Sequence, residues 1–214
     1  MKRPFTSWTV GAPYYLPLLL AAGILIAVGG AMLKPGVVFL LLGLFALNFF
    51  RDPPRRIPTE PGAVVSPADG VVTAIEDMAE TEHYVGPCRR VSIFLNVFNV
   101  HINRCPADAG VVDIRYKKGK YLNAMNPESS RVNESNAIWL DSVHGPMTVR
   151  QVSGAIARRI VCMTTPGECL VRGEKFGMIK FGSRTELYLP PGTEVCVRVG
   201  EKVRGGSTTV ARAR

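Results

Sequence analysis

With 214 residues the chain has room for one domain plus an appendage and can bury a core of its own. A formal charge of +9, from 26 Lys and Arg against 17 Asp and Glu, calls for anionic partners; the cations form no stripe with interleaved aromatics, which argues against nucleic acid. Five cysteines without a CxxC pair, and only three histidines, argue against a disulfide framework and a metal site, and fit a reducing compartment.

Taken from the N-terminus, residues 14–33 (YYLPLLLAAGILIAVGGAML) are 20 positions without a charge, enough to cross a bilayer core. Lys34-Pro35-Gly36 then punctuates, and 37–50 adds 14 apolar positions, about 21 Å as a helix and short of a full span. The pattern is too long and too duplicated for a signal peptide and reads as a membrane hairpin; a hairpin buried in a soluble core is the alternative. Lys2 and Arg3 precede it, and Arg51, Arg55 and Arg56 follow. That bias places both ends on the cytoplasmic side of the cell (inner) membrane, with Arg55 and Arg56 facing anionic headgroups and the second run either spanning or re-entrant. The expected division is 1–50 membrane anchor, 51–58 basic Pro-rich linker, and 59–214 folded domain.

The remainder reads as strands. Ser66-Pro67-Ala68-Asp69-Gly70 is a turn between Val64-Val65 and Val71-Val72. The aromatic and β-branched run 91–100 predicts one core strand ending at His101, and alternation predicts strands over 111–116, 137–141 and 147–152. Residues 119–134 are polar enough for a loop or a short helix near a site, and 154–163 is ambiguous. His83 reads as exposed and His144 as a hairpin tip. No helical period of ten or more residues stands out after residue 58. The fold class is mainly β (a β-rich α+β domain), one compact cytoplasmic unit behind the membrane hairpin.

The break in this pattern lies at Phe181-Gly182-Ser183-Arg184, where Gly-Ser interrupts two strand-like runs. Either it is a β-bulge, or it is a strained peptide whose serine hydroxyl attacks the preceding carbonyl. Asp69 in its turn is by itself a backbone-bonding aspartate, and His101 by itself a core histidine. Together the three are the parts of a base-activated hydroxyl, since serine needs a group to take its proton. Nothing in the chain order says that they meet.

Four stretches in order, Ser66-Pro67-Ala68-Asp69-Gly70, Phe94-Leu95-Asn96-Val97-Phe98-Asn99-Val100-His101, Asn133-Glu134 and Phe181-Gly182-Ser183-Arg184, resemble the motifs of phosphatidylserine decarboxylases. The likeness is to the short bacterial form, with Gly-Ser-Arg where longer relatives carry Gly-Ser-Thr, and it runs from the membrane segment almost to the C-terminus. It implies that Ser183 attacks the Gly182 carbonyl and that the chain splits into 1–182 (β chain) and 183–214 (α chain). Ser183 would become a pyruvoyl group, a covalent cofactor made from the chain. Phosphatidylserine would then form a Schiff base with it, lose CO2 and leave as phosphatidylethanolamine. Asp69 and His101 match the family's aspartate and first histidine; the second histidine of longer relatives is here Arg104, which cannot act as an ordinary base. The resemblance assigns His101 to proton donation, leaves the base for self-cleavage open, and offers Arg104 and Arg184 as holders of the substrate phosphate or carboxylate, with plain surface charge as the alternative for each. No metal and no nucleic acid is implied. The partners are an anionic phospholipid membrane and the heterodimer of the two fragments, with a higher oligomer left open.

A reading of another class is a non-catalytic, membrane-tethered barrel-sandwich adaptor or carrier, because GAVVSPADGVVTAI and GEKVRGGSTTVA resemble its paired hairpins. A carrier needs a lysine at the hairpin tip, and Ser-Pro-Ala-Asp-Gly offers none.

Overall fold

The computed structural model describes residues 6–122, 128–154, 159–180 and 183–213. The chain divides into two compact units, Met1–Pro53 and Pro54–Arg214. In the first, α1 (Ser7–Val28) and α2 (Leu33–Phe49) are joined through a 3-10 turn at Gly30–Met32. The chain therefore breaks earlier than Lys34-Pro35-Gly36. Gly29 takes φ +70° and its N–H closes on Ile26 O at 3.1 Å, ending α1 as a glycine without Cβ can. Lys34, Pro35 and Gly36 instead lie in the first turn of α2, where a proline removes a backbone N–H that has no helical acceptor. The second apolar stretch accordingly runs from Gly30 to Phe49, 20 residues, and both helices are long and apolar enough to cross a membrane. Their close approach is built on glycine: a Cβ at Gly43 would lie 2.6 Å from Leu19 and one at Gly36 2.8 Å from Ile26. Leu16, Leu20, Ile24, Leu41 and Leu44 remain exposed.

The second unit is built from strands. In chain order these are β1 (Ala63–Val65), β2 (Gly70–Met78), β3 (Cys88–Leu95), β4 (Ile102–Arg104), β5 (Ala109–Lys117), β6 (Ser135–Ser142) and β7 (Gly145–Ser153). There follow β8 (Ile160–Cys162), β9 (Cys169–Leu170), β10 (Lys175–Ile179), β11 (Ser183–Leu189), β12 (Glu194–Val195), β13 (Lys202–Val203) and β14 (Thr209–Arg212), with a four-residue helix, α3 (Ser129–Val132), ahead of β6. Eight strands form one curled sheet in the order β13-β2-β3-β11-β7-β6-β5-β9; two smaller sheets run β1-β14-β12 and β4-β10-β8. The core lies between them. Val72, Val91, Ile93, Ile138, Val149 and Leu187 from the large sheet pack with Val64, Val210 and Ala211 from the first small one.

This mainly β architecture behind two apolar helices is the one composition and alternation predict, with two local corrections. The run 91–100 is not one strand. β3 stops at Leu95 because two asparagines turn the chain: Asn96 Oδ1 accepts from Phe98 N and Asn99 Oδ1 from Asn96 N, each at 2.9 Å. His101 thus follows a turn and leads into β4. Residues 54–58 of the Pro-rich linker lie against the domain, since Ile57 packs against Gly173 and Gly206 and Arg55 is ion-paired with Asp69. His83 is not exposed: its ring, 13% accessible, sits 5.7 Å from the Tyr188 ring. His144 does lie at the β6–β7 tip.

Candidate active site

Ser183 opens β11, a central strand paired on both sides, opposite Leu95 of β3 and Ser153 of β7. Alternation sends Ser183, Thr185, Leu187 and Leu189 to the core face and Arg184, Glu186 and Tyr188 to the other. Ser183 is fully buried, and its Oγ makes no hydrogen bond to a described residue; the same holds for Ser153 Oγ beside it. A buried hydroxyl without a partner costs about 1–3 kcal/mol, so two on adjacent strands mark a place kept for something other than stability. Phe181 and Gly182, the other half of the interrupted strand, lie outside the described residues.

The neighbourhood on the core face is polar by register. Asn136 Nδ2 donates to Gln151 Oε1 (3.1 Å), Gln151 Nε2 to Asn103 Oδ1 (2.9 Å) and Asn103 Nδ2 to Thr185 Oγ1 (3.0 Å). This chain of amides carries β4 across to β11. Its members were legible in principle: Gln151 and Thr185 occupy inward positions on strands whose next inward residues, Val149 and Leu187, are core. Asn133 of the Asn133-Glu134 pair has a positioning role, donating to Leu122 O and Ser153 O at 2.8 Å each, while Glu134 accepts from Tyr116 OH at 2.8 Å.

His101 is fully buried, and its carbonyl accepts from Ile179 N at 3.2 Å, four residues ahead of Ser183. Its Nδ1 lies 3.0 Å from Asn99 O. A carbonyl can only accept, so Nδ1 carries a proton, and Nε2 is the ring nitrogen at which one can be gained or lost. The Ser66–Gly70 turn meets β4 from the other side, where Arg104 N donates to Pro67 O at 2.9 Å. Gly70 has to be glycine, since a Cβ there would lie 2.2 Å from Phe94 O. Asp69 is spoken for. Its Oδ2 accepts from Arg55 at 2.9 Å and its Oδ1 from Gly205 N at 2.8 Å, so Arg55 faces a carboxylate rather than lipid headgroups. The fold thus gathers the Asp69 turn, His101 and Ser183 at one end of the large sheet, but the Asp69 carboxylate is bonded to Arg55 and Gly205 rather than to His101.

Neither candidate arginine is a surface cation. Arg104 is buried, donates to Gly173 O at 2.9 Å, and lies under Gly206, where a Cβ would come within 2.8 Å of its Cδ. Arg184 is buried on the outer face and donates to Ser130 Oγ at 2.8 Å. There it belongs to a network around the fully buried Glu186, which accepts from Arg150 (3.1 Å), Ser130 and Tyr188 (2.8 Å), with Arg90 at 3.7 Å. Burial would raise the Glu186 carboxyl, but Arg150, Ser130 and Arg90 more than offset it and hold it below the usual range. Among the described residues no three His, Cys, Asp or Glu side chains converge as metal ligands.

A profile of the family described as phosphatidylserine decarboxylase matches residues 42–211. The phosphatidylserine decarboxylase proenzyme of Nitrosomonas eutropha is 47% identical over 175 residues, 81% of each chain. The proenzyme of that name from Carboxydothermus hydrogenoformans is 41% identical over 216 residues, the full length of both, and that from Trichlorobacter lovleyi 40% identical over 210 residues, 98% of this chain and 93% of the relative. The four ordered motifs, the buried serine opening β11 and these likenesses agree: the chain belongs to the phosphatidylserine decarboxylase family.

Proposed function

We propose that this chain is a self-cleaving, pyruvoyl-dependent phosphatidylserine decarboxylase, producing phosphatidylethanolamine and CO2 for phospholipid synthesis. The observation that carries the reading is the Ser183 hydroxyl, fully buried and unbonded to any described residue at the start of a doubly paired strand. The name proenzyme, borne by the relatives, supports processing into two chains.

In this reading the Ser183 hydroxyl adds to the Gly182 carbonyl and takes over the acyl group as an ester. Elimination frees the Gly182 carboxylate, and water then releases ammonia from residue 183. The pyruvoyl group supplies a ketone that condenses with the substrate amine and draws off the electron pair left as CO2 departs. The surrounding residues do the rest. His101 holds its ring through Nδ1–H to Asn99 O and presents Nε2 to move the proton. It takes the proton from Ser183 during cleavage and later delivers one to the carbon that lost CO2. Asp69, engaged by Arg55 and Gly205, holds the turn that frames the site rather than acting as the base. The 183–214 fragment stays bound because β11 is hydrogen-bonded to β3 and β7 along its length.

The two apolar helices support a hairpin seat in the cell (inner) membrane. With Lys2 and Arg3 before it and Arg51 and Arg56 after it, both ends fall on the cytoplasmic side, and the domain meets its lipid there.

The test is intact mass with and without a hydrazine-type ketone reagent. The expected result is a break after Gly182 and a small fragment that labels at its blocked N-terminus. A chain that stays whole and unlabelled over days overturns the reading and favours the adaptor.

A further inference from the structure

Beside the Asp69 turn lies a cleft of about 580 Å³, walled by that turn, the Asn96–Asn99 turn and the β13–β14 connection. Apart from Asp69, the polar side chains that line it are all donors. Asn96 and Asn99 both spend their carbonyl oxygens on the backbone of their own turn, which leaves the NH2 group of each. Thr208 Oγ1 accepts from Arg204 N at 2.9 Å and keeps its O–H to give. Lys202 and Arg204 are exposed cations on the same wall. The one acid, Asp69, has one oxygen on Arg55 and the other on Gly205 N–H, so it offers no neutralising acceptor. A cavity with two cations, two amides and a hydroxyl, and with its carboxylate already satisfied, is built for an anion.

Register places this cleft beside the reacting chain. Asn96 follows Leu95, the residue opposite Ser183, and Gly70 and Val71 lie on the next strand over, with Val71 opposite Phe94 and Phe94 opposite Arg184. Strands are spaced about 4.8 Å apart, so the cleft begins within roughly 10 Å of Ser183. Phe98, 67% exposed, stands on its wall as the one aromatic ring among the lining residues. An anion beside an apolar ring at that distance matches a phosphate ester carried on a lipid.

We propose that the cleft holds the phosphodiester of the phospholipid substrate, through Lys202, Arg204, the Asn96 and Asn99 amides and Thr208, with Phe98 against its apolar part. This rests on the decarboxylase reading and reassigns the phosphate from Arg104 and Arg184, whose guanidinium groups are buried and bonded to the protein.

The test uses the full-length Ser183→Ala chain in neutral detergent, so that binding is read without turnover. Its probes are dihexanoyl phosphatidylserine, glycerophosphoserine and inorganic phosphate. Lys202→Gln with Arg204→Gln is expected to weaken lipid binding about tenfold or more, because two charge-assisted contacts are lost. Lys202→Arg with Arg204→Lys should restore it, and removing two charges elsewhere (Lys118→Gln with Arg198→Gln) should leave it unchanged. Phe98→Ser should weaken the lipid but not glycerophosphoserine. In the self-cleaved enzyme the Lys202/Arg204 glutamine variant should raise KM for the short-chain lipid. Unchanged lipid affinity in that variant overturns the proposal, as does an equal loss in the charge-matched control. Inorganic phosphate binding as tightly as glycerophosphoserine would make this a free-anion site and overturns the lipid assignment. Wild-type chain that binds lipid in this way but never cleaves would sink the decarboxylase reading while leaving the cleft assignment standing.

Discussion

At Ser183, a buried hydroxyl sits where a sheet would be more stable with an apolar side chain, and Ser153 opposite it has the same deficit. Ser183→Ala is expected to leave an intact, inactive chain of full length that folds at least as well as the uncut wild type; a fragment ending at Gly182 in that variant, seen by mass, would sink the mechanism. His101→Ala should abolish decarboxylation in radiolabelled CO2 release. The third residue is His83. Burial first, and Arg150 second, push its imidazole down from 6.5 to about 4. Below pH 6.5 the unfolded chain binds this proton and the folded one does not, so stability falls as pH drops towards 4 and this loss levels off beneath it. Allowing for its partial exposure, the effect is about 1–2 kcal/mol. His83→Gln should flatten the pH dependence of the melting temperature between pH 4 and 6.5, and an unchanged slope would remove His83 as its source. Its sequence surroundings, acidic residues and a Gly-Pro turn, look like a surface. Only the tertiary packing against Tyr188 shows otherwise.

On the scale of single elements, β11 carries the argument. Its core face runs from Ser183 through Thr185 to Leu187 and Leu189, and its other face holds Arg184, Glu186 and Tyr188 in an ion-pair network. Removing Glu186 leaves Arg150 and its neighbours as buried positive charge, so Glu186→Ala should cost about 3–5 kcal/mol. It should also slow self-cleavage by loosening the register at Ser183. Denaturant unfolding and the cleavage time course would measure the two effects, and a change under 1 kcal/mol would show the network to be dispensable. Gly70→Ala forces a Cβ against Phe94 O and should destabilise by about 2–3 kcal/mol, with cleavage impaired because that turn frames the site. Strand existence was legible from alternation, but the end of β3 was not. The run 91–100 is continuously apolar enough to read as one strand, and the Asn96/Asn99 side-chain bonds that end it are satisfied only once the chain has turned.

For the whole molecule, the domain is one β unit in which residues 183–214 contribute the central strands β11 and β14 and the edge strands β12 and β13. After cleavage the two pieces should copurify and separate only on denaturation. Reductant should make no difference, since all five cysteines are free. Dissociation in mild detergent would contradict the pairing of β11 on both sides. The apolar hairpin should carry the intact chain into floating vesicles in a manner resistant to high salt, because hydrophobic insertion is not screened as headgroup attraction is.

Composition and order by themselves determined that an apolar hairpin precedes a β-rich domain, and that Gly182-Ser183 breaks a strand pattern in company with an Asp turn and a histidine. Those are properties of local periodicity and of residue types whose conformational needs are intrinsic, such as glycine, proline and asparagine. The tertiary structure alone decided which charges are buried and whom they face. Arg55 pairs with Asp69, Arg104 with the Gly173 carbonyl and Arg184 with Ser130, whereas Lys202 and Arg204 are left on an open cleft. An arginine reads the same in sequence whether it meets water, lipid or a carboxylate. Its partner comes from 14 to 69 positions away along the chain, through pairings that exist only in the folded sheet.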